Sequence, residues 1–231
     1  MARTVKKQEH AMRRNEILDV AQRLVYTKGY EQMTIQDILD DLKISKGAFY
    51  HYFDSKGALL EALIERTLEE VERILMPIVD DPHLPALEKL RRFFATAGRW
   101  KTAQKPFLLA LLRVWYTDDN AIVRQKQQAM GIKRIAPLLT AVIRQGVAEG
   151  VFTTAYPDQA GGVIQSLFRS LGDSWAEVLL ADEPKQDAWQ RIKHTIAAYT
   201  DALERVLGAP AGSLQLLDEE TLKVWVVPPE E

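Results

Sequence analysis

Apolar residues along this chain recur with a helical period almost everywhere, and no run alternates residue by residue. That periodicity admits helices and leaves no strand to build a sheet. Ile17, Leu18, Ala21, Leu24 and Val25 make one face of a first helix, which should end at Gly29. Ile35, Ile38, Leu39 and Leu42 make the buried side of a second, with Thr34 placed to cap it. Ser45 caps a third, from which Ala48, Phe49 and Phe53 can pack inward. Ser55 caps a long fourth helix with an apolar face running from Leu59 and Leu60 to Val71 and Leu75. Pro77 is expected to stop it, before a loop at Asp80-Asp81-Pro82-His83.

The remainder reads the same way. Helices are expected from Pro85 to Ala103 and from Pro106 to Tyr116. Another should run from near Asp119 to the turn at Gly146–Gly150, kinked or interrupted by Pro137. Two more are expected from Asp158 to Leu180 and from Pro184 to Gly208. The tail from Ala209 holds one short turn at Asp218–Val226 and ends near Pro228-Pro229. With 231 residues there is ample material for a core. The expected architecture is all-α: a three-helix helix-turn-helix domain over residues 1–56, a larger helical domain over 57–208 joined through the long helix, and a tail over 209–231.

Charge and composition narrow the chemistry. Residues 1–28 hold seven Lys or Arg against three acids, a local charge of +4, which leaves −6 for the rest of a chain whose net charge is −2. A basic front end on an acidic chain suits a local phosphate contact. Cysteine is absent, so disulfides and thiolate chemistry are excluded, in keeping with a reducing cytoplasm. Neither a signal peptide nor an apolar run long enough to span a bilayer is expected.

Thr34 to Lys56, TIQDILDDLKISKGAFYHYFDSK, concentrates basic, aromatic and hydrogen-bonding side chains on a helix, a tight turn and a second short helix. Such a composition is odd for a solvated face and suits a helix that lies in a DNA groove. Together with RRNEILDVAQRLVYTKGY before it and GALLEAL after it, the stretch resembles the DNA-binding domain of TetR-family transcriptional regulators. The resemblance is dense over the first 65 or so residues and only architectural beyond Glu65, apart from the QGVAEGVF turn. It departs from the common pattern at Lys43, which stands where a glycine is usual, and at Leu39 and Leu42, which replace smaller alanines. It implies a homodimer, a palindromic double-stranded DNA operator, and a divergent helical domain that binds a small effector.

Site roles follow from that resemblance. Tyr50 and Lys56 match phosphate-binding positions, and Thr34 offers a further phosphate contact at a helix N-terminus. Lys46, Gly47, His51 and Tyr52 are the groove-facing positions, which Gln36 can join from the second helix. Lys46 is suited to guanine and Gln36 to adenine, although Tyr52 also suits core packing and His51 a plain surface. Arg3, Lys6, Lys7, Arg13 and Arg14 are expected to form a flexible arm and helix start that touch the DNA backbone, or to be a solvated tail.

Two tasks fall to the second half. Trp189, Ile192, Ile196, Tyr199, Leu203 and Val206 follow a 3-4 spacing that suits a dimer seam, with intramolecular core as the alternative. Gly162, Ser166, Ser170 and Ser174 recur every four residues as a small-residue ridge that lets a helix approach closely. For an effector, the candidates are Phe94, Trp100, Phe107, Leu111, Trp115, Met130, Phe168 and Trp175, an aromatic and apolar set that also suits ordinary core. Arg169 and Asp173, one turn apart, either orient a ligand or pair with each other.

Enzyme motifs are missing. His10, His51, His83 and His194 are scattered, and neither a metal-binding histidine motif, a nucleophile elbow nor a phosphate loop is present. No cofactor or metal is expected. The sequence thus points to a cytoplasmic, dimeric repressor released from its operator by a small apolar or aromatic effector. The alternative is a DNA-binding regulator or architectural protein governed by a protein partner.

Overall fold

The computed structural model describes residues 2–116, 121–181 and 185–226. Those residues form ten helices and no strand, as the apolar period demands. They are α1 (Ala2–Lys28), α2 (Ile35–Leu42), α3 (Lys46–Tyr50), α4 (Lys56–Asp80) and α5 (Ala86–Ala103), then α6 (Lys105–Trp115), α7 (Ala121–Ala148), α8 (Pro157–Leu180), α9 (Lys185–Leu207) and α10 (Glu219–Val226). The expected helix starts at Asp119 and Pro184, and the Pro228-Pro229 terminus, lie outside the described residues.

Both internal prolines are tolerated. α4 continues past Pro77 to Asp80, and α7 runs through Pro137 without interruption. A proline ring fixes φ near the helical value and withdraws one hydrogen bond, so adjacent turns and tertiary packing can carry a helix across it. The expected stop at Pro77 is therefore replaced by a continuous helix, and of the kink or interruption expected at Pro137 the interruption does not occur. The basic arm also differs from expectation, because α1 begins at Ala2.

The chain divides into two compact units, one formed by Met1–Thr67 with Pro106–Gln127 and the other by Leu68–Lys105 with Gln128–Glu231. The first boundary falls inside α4, eleven residues beyond the expected end of the first domain at 56. The first unit packs Ile17, Leu18, Ala21, Leu24 and Val25 of α1 against Ile38, Phe49, Phe53, Leu59, Leu60 and Leu63. Phe107 and Leu111 of α6 are buried in this same core, and Trp115 packs against it. Arg66 of α4 fastens itself to α1 through the Asp19 carboxylate at 2.6 Å, the Leu18 carbonyl at 3.2 Å and the Gln22 side chain.

The second unit builds its core from Leu75, Leu90, Phe93, Phe94, Leu139, Ile143, Phe152, Ile164 and Leu171 with residues of α9 and the tail. α7 and α8 approach closely at Gly161, where an added Cβ would lie 2.2 Å from the Thr140 hydroxyl and 2.5 Å from the Ala136 carbonyl oxygen. Neighbouring Gly162 has open space instead, beside a groove of about 720 Å³ between α7 and α8 that Ala136, Thr140 and Ser166 also line. Ile192, Ile196 and Leu203 are buried within one copy of the chain, packed in its own core. The intramolecular alternative for the α9 seam therefore accounts for these three. Tyr199 donates its hydroxyl hydrogen to Ser170 of α8 at 2.6 Å, which joins the two helices within a protomer.

Residues 209–226 are integral to this unit. Glu204, buried on α9, accepts the N–H groups of Gly212 and Leu214 at 2.9 and 2.8 Å, which turns the chain back. Leu214, Leu216 and Leu222 then bury themselves, and Leu217 covers Gly98 of α5. Trp225 closes the strap by donating its indole N–H to the Thr102 hydroxyl at 3.0 Å, with its ring edge-on to Trp175.

Candidate nucleic-acid interface

α2 begins with a complete capping box. The Thr34 hydroxyl accepts the Asp37 N–H at 3.1 Å, and the Asp37 carboxylate accepts the Thr34 N–H at 2.8 Å. Asp37 also receives the Lys28 ammonium at 2.7 Å, and Arg23 pairs with Asp41 at 2.6 Å, so α1 holds α2 at both ends. The turn that follows uses Lys43 with φ at 52°, the one non-glycine residue with positive φ among those described. Left-handed backbone costs an L-residue roughly 1 kcal/mol or more, and the Ile44 N–H to Leu39 carbonyl bond at 3.1 Å helps retain it.

α3 is short, only Lys46–Tyr50, and is capped where Ser45 accepts the Ala48 N–H at 3.2 Å. A helix of this length has little stability of its own. Phe49 and Phe53 anchor it by burial, which turns Lys46, Gly47, Tyr50 and His51 to solvent. Tyr50 is 41% exposed, a large aromatic that the fold leaves outside its core. A Cβ at Gly47 would meet only the Ser45 hydroxyl, at 4.0 Å, so the surface there is open.

The structure thus brings Lys46, Gly47, Tyr50 and His51 together on one exposed element, with exposed Thr34 and Gln36 on the preceding one. Several are already engaged. The Gln36 amide donates to Asp40 at 2.7 Å, and the Lys46 ammonium sits 6.0 Å from the Tyr50 ring centre. The Thr34 hydroxyl belongs to its cap. The Lys56 ammonium donates to the Glu31 carbonyl at 3.1 Å and lies over the Tyr30 ring, and partial burial pulls its pKa below the usual lysine value. Tyr30 in turn donates its hydroxyl hydrogen to the Lys56 carbonyl, and burial pushes that phenol up to about 12. Tyr52 is half-buried and packs against the first unit's core.

Arg13 is paired with Glu16, and the Arg14 guanidinium lies 5.2 Å from the Phe53 ring centre. The side chains of Arg3, Lys6 and Lys7 lie outside the described residues. One member of this surface escapes sequence reasoning. His10 of α1 stacks on Tyr52 with ring centres 4.6 Å apart and meets His51 at 5.4 Å. Its signal was present, because His10, Arg13, Arg14 and Ile17 fall at i, i+3, i+4 and i+7 on one face of α1.

The expected effector residues are not one constellation. Phe107, Leu111 and Trp115 belong to the first unit, whereas Phe94 and Phe168 pair in the second with ring centres 5.1 Å apart. Trp175 packs against that second core, Met130 is half-buried, and Arg169 donates to Gln128 at 3.3 Å. The indole N–H groups of Trp100 and Trp175 are buried with no hydrogen-bond partner among the described residues. Among the described residues no group of three or more His, Cys, Asp or Glu could hold a metal ion, and no helix is long and apolar enough to cross a membrane.

Comparison with known proteins agrees with this geometry. Residues 17–63 match the profile of bacterial regulatory proteins of the tetR family, and residues 113–174 match the tetracyclin repressor-like C-terminal domain. An HTH-type transcriptional repressor, DhaR of Mycobacterium sp. (strain GP1), is 24% identical over 147 residues, 55% of this chain and 74% of DhaR. A TetR-family regulator from Pectobacterium atrosepticum superposes with a TM-score of 0.63 at 21% identity, covering 88% of this chain and 98% of its own. The FadR repressor of Thermus thermophilus, solved in complex with lauroyl-CoA, gives 0.59 at 17% identity, over 82% and 94%. A capped α2, a left-handed turn and an anchored α3 inside the segment matched by the first profile, with the second profile matching the C-terminal segment, identify this chain as a member of the TetR family of helix-turn-helix transcriptional regulators.

Proposed function

We propose that the protein is a homodimeric repressor that docks α3 of each copy in successive major grooves of a palindromic operator and leaves it when a small apolar or aromatic effector binds the second unit. The observation that supports this most directly is the exposed Lys46-Gly47-Tyr50-His51 surface on a helix anchored by Phe49 and Phe53. Tyr50 and Lys56 hold phosphates, and Thr34 adds a third at the α2 N-terminus. Lys46 and Gln36 read bases, with Gly47, His51 and Tyr52 shaping the approach. Gln36 must exchange its bond to Asp40 for the base edge, and Lys56 has ammonium hydrogens beyond the one given to Glu31.

For the effector, Phe94, Phe168, Trp175, Trp100 and Met130 supply apolar contact in the second unit, and the unpartnered indole N–H groups favour a ligand with an acceptor oxygen. Arg169 lies within reach of α7 through Gln128. A repressor of this fold was solved in complex with lauroyl-CoA, whose acyl chain is apolar and whose coenzyme A part is strongly charged. Dimerisation uses the outer flanks of α8 and α9, including exposed Ser170 and half-buried Gly162, Ser166, Trp189 and Tyr199, around the buried Ile192, Ile196 and Leu203. Because α4 belongs to both units, an effector that prefers one tilt of α4 shifts the reading heads. Such a protein works in the cytoplasm, where its operator lies.

The test is selection of bound fragments from random double-stranded DNA, followed by affinity measurements on the enriched sequence. A two-fold symmetric site is expected. Tyr50→Phe with Lys56→Ala should weaken binding by about 10- to 100-fold and flatten the salt dependence by roughly one charge. Unchanged affinity in the double variant would remove the docking geometry.

A further inference from the structure

Three rings from two distant parts of the sequence meet at the edge of the proposed reading surface. The His10 imidazole of α1 stacks on Tyr52 at 4.6 Å with the planes inclined by 42°. It also stands edge-on to His51 at 5.4 Å and 75°, and the His51 and Tyr52 rings meet at 5.1 Å and 82°. Every pair of the three is thus in ring contact, the two pairs that include His51 in the edge-on arrangement that aromatic rings favour and the His10–Tyr52 pair tilted. Burial does not force this arrangement, because His10 and His51 are both exposed.

The local backbone makes the brace consequential. α3 ends at Tyr50, and His51 and Tyr52 follow in a turn held by bonds to the Gly47 and Phe49 carbonyls. Phe49 and Phe53 fix the inner side of that turn, Tyr52 rests partly against the same core, and the His51 ring stands outside it, so the outer faces of both rings are open to α1. Of the charged neighbours on α1, Arg13 pairs with Glu16 and also acts electrostatically on Tyr52, while Arg14 lies over Phe53. His10 alone among these α1 side chains touches both His51 and Tyr52 by ring contact.

We propose that His10 is a positioning residue of the DNA-reading surface, whose ring holds His51 and Tyr52 in the orientation that gives α3 its base preference. This rests on the reading of α3 as the groove-facing helix. It acts through geometry, so a ring of similar shape should substitute for it, and its loss should blur sequence preference more than it weakens general DNA affinity. A residue that merely touched phosphate would show the opposite pattern.

The experiment uses the full chain and a double-stranded DNA carrying the sequence that the wild type enriches from a random library. His10→Ala should lower affinity for that DNA by about 5- to 10-fold, the scale of a lost ring contact, with affinity for unrelated DNA changed less than about twofold. Repeating the selection with His10→Ala should give broader preference at the positions under α3. His10→Phe should restore both affinity and preference to within about twofold. On a His51→Ala, Tyr52→Ala background, His10→Ala should add nothing further. Wild-type affinity and preference in His10→Ala, an equal loss on enriched and unrelated DNA, or no rescue by phenylalanine each overturns the proposal while leaving the DNA-reading assignment standing. Failure of the wild type to enrich any sequence overturns both.

Discussion

Asp37 gathers the Lys28 ammonium, the Thr34 N–H and the Thr34 hydroxyl around one carboxylate, and these three donors hold its pKa at about 2, below the ordinary 3.8. A carboxylate whose folded pKa is depressed contributes stability above its unfolded value, and that contribution is lost as pH falls through the folded value. Denaturant unfolding of wild type and Asp37→Asn over a pH series should therefore show a gap that is full above about pH 4 and closes toward pH 2. A gap independent of pH would mean that the charge on Asp37 is not what holds the cap. Lys43 shows the limit of residue-level reasoning in the opposite direction. Its left-handed backbone is legible only through the resemblance, which sets a glycine at this position; the lysine itself carries no such signal, and capping bonds on either side accompany the φ of 52°.

Among the elements, the helix-turn-helix was the most legible, because Thr34, Ser45 and Ser55 are local caps and Ile38, Phe49 and Phe53 are local anchors. α6 was legible as a helix but not as a neighbour of α1, because periodicity reports which face is buried and not against what. For that reason Phe107, Leu111 and Trp115 were grouped with Phe94 and Phe168, which sit in a different core. The same ambiguity affects α9, whose seam-like spacing buries Ile192, Ile196 and Leu203 in the core of their own chain and leaves Trp189, Tyr199 and Val206 only partly covered. α8 offers a sharp test at adjacent residues. Gly161→Ala forces a Cβ to within 2.2 Å of Thr140 and should destabilise the protein by about 1–3 kcal/mol. Gly162→Ala meets nothing within one copy and should be neutral or stabilising by up to about 1 kcal/mol in thermal melts. If the proposed interface includes Gly162, that same substitution should weaken dimerisation in sedimentation runs.

For the whole molecule, the compact units do not follow the chain in order. The first takes its core from residues up to Thr67 and then again from α6, so the reading head is assembled from two separated segments. A fragment ending at Thr67 lacks Phe107 and Leu111, both nearly fully buried in that core. Deleting two such anchors is worth several kcal/mol on the scale of single large-to-small substitutions, comparable to the whole stability of a small domain. The fragment is expected to show broad, weakly cooperative melting by circular dichroism, while the full chain melts sharply. Equal cooperativity would show that α6 is dispensable. Grafting this head onto another regulator as one continuous stretch should accordingly fail, whereas a chimera that carries both segments should keep it folded. Change in the two halves is thus coupled: recombination at a single crossover inside α4 would separate the head from part of its own core, so heads of this kind must diversify in place rather than be exchanged as cassettes.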